Sequence, residues 1–187
     1  MSRHGGLETE IKLRLPADLN PIRRTLRRAS FHVAKRRTFE ANILFDNPQH
    51  SLSNQGKLIR IRRAGPGGVL TYKGPTVPGP HKSRPEVEIP IADPDVLEEI
   101  LKQIGFDPLF RYEKYRTEFT THPNRGTVML DETPIGNFLE VEGSGRWIDH
   151  TARLLGFTRG DYITGSYGYL YGNYCRDRGI KPANMVF

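Results

Sequence analysis

Residues 7–15 read Leu7-Glu8-Thr9-Glu10-Ile11-Lys12-Leu13-Arg14-Leu15, an alternation that puts Glu8, Glu10, Lys12 and Arg14 on one face and the leucines and Ile11 on the other. A period of two marks an extended strand with one face against a core. What is unusual is that the polar face is ionisable throughout. The pattern returns down the chain. Arg60 and Arg62 alternate with Ile59 and Ile61, Lys73 follows Tyr72, and Arg84, Glu86 and Glu88 interleave with Val87 and Ile89. Lys114 and Arg116 form another pair, Asp131 follows Leu130, and Glu140 and Glu142 alternate with Leu139 and Val141. A half-exposed sheet also alternates, but with Ser, Thr, Asn and Gln among its polar positions. Closing about eight such strands into a barrel leaves room for side chains or one small ligand.

If the charged face points inward, seven bases (Lys12, Arg60, Arg62, Lys73, Arg84, Lys114, Arg116) meet seven acids (Glu8, Glu10, Glu86, Glu88, Asp131, Glu140, Glu142). Burying that many charges is costly unless each finds a counter-charge, a metal or an ionic ligand. Separate basic and acidic clusters suit a phosphate chain bound with a divalent metal, since Arg and Lys neutralise phosphate oxygens and carboxylates hold Mg²⁺ or Mn²⁺.

Outward from this pattern, spacing predicts further strands over 36–46, 58–64, 69–74, 84–91, 111–121, 126–132 and 136–142, with a turn at Gly65-Pro66-Gly67-Gly68 and a loop over 74–83. Leu19, Ile22, Leu26 and Ala29 recur at helical spacing, which predicts an amphipathic helix over 18–29 with Arg23, Arg24, Arg27 and Arg28 outside. Asp93-Pro94 opens a second helix that Gly105 ends, residues 148–155 form a third stopped by Gly156, and Ser166 caps a last one. The spacing gives a strand-rich chain with about four helices. One domain is expected over 1–187, with a helical C-terminal part at 148–180.

The chain has 187 residues, and 28 Lys and Arg against 21 Asp and Glu give it a net charge of +7. Residues 1–40 hold ten basic and four acidic side chains, whereas 41–187 are nearly balanced at 18 against 17. The Arg-rich helix is therefore either a solvated face or a surface that recruits nucleic acid or a partner. No aromatic stacking platform is interleaved with it, which disfavours single-strand binding. A single cysteine, Cys175, excludes a disulfide framework and a thiolate-rich zinc site. No apolar run approaches ~18 residues and the N-terminus lacks a secretory core, so a soluble, cytoplasmic protein without membrane contact is expected. The six histidines (4, 32, 50, 81, 122, 150) are scattered and expected at the surface. Neither a Walker lysine nor a Ser-His-Asp set is present.

Glu8-x-Glu10-x-Lys12, Leu58-Ile59-Arg60-Ile61-Arg62, Thr71-Tyr72-Lys73-Gly74-Pro75, Arg84-x-Glu86-x-Glu88, Lys114-x-Arg116, Val128-Met129-Leu130-Asp131 and Phe138-Leu139-Glu140-Val141-Glu142 follow one another in an order that resembles the CYTH superfamily, the triphosphate tunnel metalloenzymes. The likeness covers 7–142, with an echo at Ser166-Tyr167, and is greatest to the class IV adenylyl cyclase-like subgroup. Phe45-Asp46-Asn47-Pro48 departs from the Tyr-Phe-Asp-Thr of many relatives.

The resemblance implies an α+β fold, an antiparallel eight-stranded β-barrel open to solvent with helices packed outside, and a triphosphate bound inside it. It implies Glu8, Glu10, Asp131, Glu140 and Glu142 as ligands of Mg²⁺ or Mn²⁺, and Lys12, Arg60, Arg62, Lys73, Arg84, Lys114 and Arg116 as phosphate contacts. Glu86 and Glu88 are supporting acids, pairing with the bases or assisting a second metal. Lys12 is also a candidate general acid or base. The implied activity is conversion of ATP to cyclic AMP and pyrophosphate or hydrolysis of a triphosphate, with ATP, inorganic triphosphate and thiamine triphosphate as candidate substrates. The alternatives are a non-catalytic polyphosphate- or nucleotide-binding module and a nucleic-acid binder using helix 18–29.

Overall fold

A computed structural model describes residues 3–122 and 125–187. Its eight strands are β1 (Arg3–Leu15), β2 (His32–Asp46), β3 (Leu58–Arg63), β4 (Gly68–Lys73), β5 (Lys82–Ile91), β6 (Asp107–Thr120), β7 (Gly126–Thr133) and β8 (Gly136–Gly143). They close into an antiparallel barrel in the order β1-β5-β4-β3-β2-β6-β7-β8, with β8 pairing back onto β1. The expected eight-stranded barrel is thus the observed one. The strands are staggered, and the C-terminal segment fills two exposed edges. Ile163 exchanges backbone hydrogen bonds with Lys12, and Met185 lies between Arg111 and Glu113.

The alternating sequence sorts the side chains as a barrel requires. The outward apolar face is covered by helices. α1 (Asn20–Arg28) and α3 (Gly145–Leu154) join Ile11, Leu13, Val128, Leu130, Leu139 and Val141 in one core through Ile22, Leu26, Ile148 and Ala152. α2 (Pro94–Gln103) contributes Leu101 to a second core with Ile43, Phe45 and Ile61. Asp93 caps α2 by accepting from the amides of Asp95 and Val96, and Gly105 leaves it at φ +89°, a conformation costly for other residues.

α4 (Tyr167–Asp177) departs from the expectation that helices lie outside. Its first turn enters one end of the barrel, where Tyr167 packs on the inward-facing Tyr112 and Phe138. The reason is the aromatic filling of that end: Tyr112, Phe138, Tyr167, Leu170 and Met185 form a third buried cluster. No helix among the described residues is long and apolar enough to cross a membrane.

Candidate functional site

The barrel interior holds a cavity of about 260 Å³ lined by eight cationic and seven acidic side chains. Thirteen of the fourteen charged residues singled out in the sequence lie on its wall, and Asp131 alone does not.

The wall made by β1 and β8 places Glu10 opposite Glu142 and Lys12 opposite Glu140. Lys12 Nζ sits 3.0 Å from Glu10 Oε1 and 3.2 Å from Glu140 Oε1. Glu10 Oε1 also accepts from Lys82 at 2.8 Å. Burial by itself raises a carboxyl pKa. At Glu10 the nearby Lys12 and Lys82 overcome it, and at Glu140 Arg116 and Lys12 do, so both acids lie below the usual range. Burial would lower the Lys12 ammonium, but Glu10 and Glu140 hold it above the usual lysine range. Lys12 is therefore cationic at neutral pH. Lys82 differs, because burial and the neighbouring Lys12 push it down.

Across the barrel, Arg60 donates to Glu88 Oε1 at 3.2 Å, Thr71 Oγ1 at 3.1 Å and Tyr112 Oη at 3.3 Å. Arg62 stands 3.8 Å from Glu88. Lys73 bridges Glu8 and Glu86. Burial and a hydrogen bond shared with Glu8 push Glu86 up to about 8, while that hydrogen bond and Lys73 keep Glu8 low against its own burial. Glu88 is held at about 2 despite its burial, by Arg62, Arg60 and the Thr71 hydroxyl. Arg84 lines the cavity but spends its guanidinium on the wall, donating to the carbonyls of Gly74 and Gly56 at 2.8 Å each.

The closed end is built on Asp131. Its two oxygens accept from Lys114 at 2.9 Å, from Arg116 at 2.6 and 2.5 Å, and from the Tyr167 hydroxyl at 2.7 Å. Four donors fill the roughly four acceptor positions of a carboxylate. Asp131 is fully buried and anchors two cations from behind the cavity wall. The ammonium groups of Lys12 and Lys114 each lie 5.1 Å from the Tyr167 ring centroid, within cation–π range.

Glu8, Glu10, Glu140 and Glu142 offer only hard carboxylate oxygens along two adjacent strands, the donor chemistry that Mg²⁺ and Mn²⁺ take. Among the described residues no three metal-type side chains are already gathered, and lysines pair with Glu8, Glu10 and Glu140. The donor set fits a divalent cation on exchange of those pairings.

Sequence reading missed several wall residues. Tyr112 and Glu118 continue the alternation of Lys114 and Arg116 and were legible from it, as was Lys82, two residues before Arg84. Glu40 carried no such signal. It is fully buried behind Lys114, at 3.8 Å, with neither oxygen hydrogen-bonded. His81, expected at the surface, instead sits with its side chain 10% exposed and Nε2 2.8 Å from Asp149 Oδ1. The Tyr162 hydroxyl and Arg159 also donate to Asp149. Gly145 leaves the space: a Cβ there would stand 3.1 Å from the His81 ring.

A barrel of charged inner face and helical cover defines the class. The sequence profile of the CYTH domain matches residues 6–155, and the chain belongs to that family. It is 28% identical over 149 residues to a Methanocaldococcus jannaschii protein named "Putative adenylate cyclase", spanning 80% of this chain and 83% of that one. The X-ray structure of a "putative adenylate cyclase" from Vibrio parahaemolyticus superposes with a TM-score of 0.76 at 20% identity, covering 90% of this chain and 99% of that chain. A "putative adenylyl cyclase" from Hippeastrum, described as having a dominant triphosphatase activity, superposes with a TM-score of 0.60 at 16% identity, covering 97% and 98%. At such identities the two structures speak to the fold.

Proposed function

We propose that the chain is a divalent-metal-dependent enzyme acting on a triphosphate, with cyclisation of ATP to cyclic AMP and pyrophosphate as the first reading. The observation that carries it is one cavity whose wall brings the carboxylates Glu8, Glu10, Glu140 and Glu142 of β1 and β8 together with the cations Arg60, Arg62 and Lys73 of β3 and β4 and Lys114 and Arg116 of β6. A binder of phosphate alone gains nothing from carboxylates facing its ligand, which argues against a non-catalytic module.

Arg60, Arg62, Lys73, Lys114 and Arg116 neutralise and align the phosphate oxygens. Mg²⁺ or Mn²⁺ held by Glu10, Glu140 and Glu142, with Glu8 beside them, would supply further charge neutralisation and activation of the attacking oxygen. Lys12, placed between Glu10 and Glu140 on the same wall, acts as a fixed phosphate contact in this reading, ahead of its other candidate role as general acid or base. Asp131 and Tyr167 hold Lys114 and Arg116 in place. In the cyclase the ribose 3′-hydroxyl attacks the α-phosphorus and pyrophosphate leaves, its growing charge met by preorganised cations. Hydrolysis by water is the second reading, supported by the activity described for the Hippeastrum protein. The likeness to proteins named adenylate cyclase supports the first.

Glu10→Gln and Glu142→Gln are each expected to cut metal-dependent turnover by roughly 10²-fold or more while circular dichroism stays native, the scale of losing a transition-state electrostatic contact. Full activity in either variant contradicts the metal assignment.

A further inference from the structure

Glu10 Oε1 is held by two ammonium groups, Lys12 at 3.0 Å and Lys82 at 2.8 Å. The two lysines are not equivalent. Lys12 also has Glu140 at 3.2 Å, so it keeps a counter-charge whatever happens at Glu10. Among the described residues, Glu10 is the one acid within ion-pair distance of Lys82. Lys82 opens β5 directly across from Glu10, where the Pro- and Gly-rich segment 74–81 meets the sheet. A lysine carries its charge on a four-carbon stem with rotatable donors, so the ammonium moves without the strand moving.

We propose that Lys82 is an exchangeable counter-ion: it neutralises Glu10 while no divalent cation is bound, and swings onto the phosphate chain when a cation takes its place on that carboxylate. This rests on the metal-dependent reading above. The physical ground is that a buried carboxylate needs a counter-charge at all times. Glu10 is buried, and two lysines together supply the charge that one divalent cation supplies. A cation arriving at Glu10 repels an ammonium a few ångströms away, and the cations that would draw the phosphates, Lys73 and Arg60 among them, line the same cavity. Metal entry thereby delivers an additional positive group to the substrate, and the empty tunnel avoids a bare buried anion.

The test measures binding, not turnover. Mn²⁺ affinity without triphosphate, by electron paramagnetic resonance of free Mn²⁺, and the affinity for a non-hydrolysable methylene-bridged triphosphate analogue at saturating Mn²⁺, by calorimetry, are compared in the wild type, Lys82→Gln and Lys82→Met. Lys82→Met preserves the apolar stem should Lys82→Gln fold poorly. The neutral variants should bind Mn²⁺ about tenfold more tightly and the analogue about tenfold more weakly, a change of ~1.4 kcal/mol in each. Lys82→Arg, which keeps the charge, should stay near the wild type. Mn²⁺ affinity unchanged or weakened in the neutral variants overturns the exchange while leaving the metal reading intact. A wild type that binds no Mn²⁺ overturns the metal reading, and the exchange with it.

Discussion

Asp131 illustrates how one residue's surroundings decide its role. A carboxylate fully buried with Lys114, Arg116 and Tyr167 as donors balances charges that would otherwise be stranded. Removing one member of such a group exposes the rest to the full desolvation penalty, so Asp131→Asn should cost about 3–5 kcal/mol in urea unfolding. A loss below ~1 kcal/mol would show that Asp131 is not the anchor. Asp149, outside the barrel, gives a pH signature. Arg159, and then His81 and Tyr162, hold it at about 2 against the usual 3.8, so the folded state binds its proton less readily than the unfolded chain. Its stabilisation is present above about pH 4 and lost as pH falls toward 2. The melting-temperature gap between wild type and Asp149→Asn should accordingly be full at neutral pH and close across that window. A gap independent of pH would contradict the ion-pair origin.

At the scale of elements, α4 matters most because it turns a barrel into a site with a floor. Ser166 caps it by accepting from the Tyr169 amide, so Ser166→Ala should cost about 1 kcal/mol. Tyr167→Phe leaves Asp131 one donor short and should cost roughly 1–3 kcal/mol while weakening triphosphate binding. Unchanged binding in Tyr167→Phe would mean the floor plays no part in placing the lysines. Legibility in the sequence followed the same lines. Strands whose inner positions are ionisable, such as Glu8-Thr9-Glu10-Ile11-Lys12, gave both fold and site, because charge at every second position has few explanations besides a lined interior. Lys82 was passed over since its strand starts inside a Pro- and Gly-rich stretch. Glu40 and Asn42 were passed over since β2 points different residue types inward. The entry of α4 into the barrel was not legible at all. An aromatic stripe at helical spacing says what is buried but not against which face, and here tertiary packing of Tyr112 and Phe138 decides it.

For the whole molecule, the net charge of +7 belongs outside the cavity. Residues 13–37 alone carry eight bases against Asp18, and Arg24, Arg27, Arg28 and Arg36 are exposed. An exposed basic face raises the local concentration of polyanions and the rate of encounter, an effect that salt screens. Replacing Arg24, Arg27 and Arg28 by Gln should therefore leave kcat unchanged and flatten the salt dependence of kcat/KM. A fall in kcat would place that helix in the chemistry. The inner charges, eight bases against seven acids on the wall with Asp131 and Glu40 behind it, nearly cancel and are arranged for a ligand that brings both signs, a triphosphate with its cation. The most direct test is incubation with Mn²⁺ or Mg²⁺ and, separately, ATP, inorganic triphosphate and thiamine triphosphate, with products resolved by chromatography. Cyclic AMP with pyrophosphate from ATP, dependent on the cation and lost in Glu10→Gln, is the expected result, and orthophosphate would select the hydrolase reading. Tight triphosphate binding with no product from any substrate under either cation would contradict the enzyme assignment.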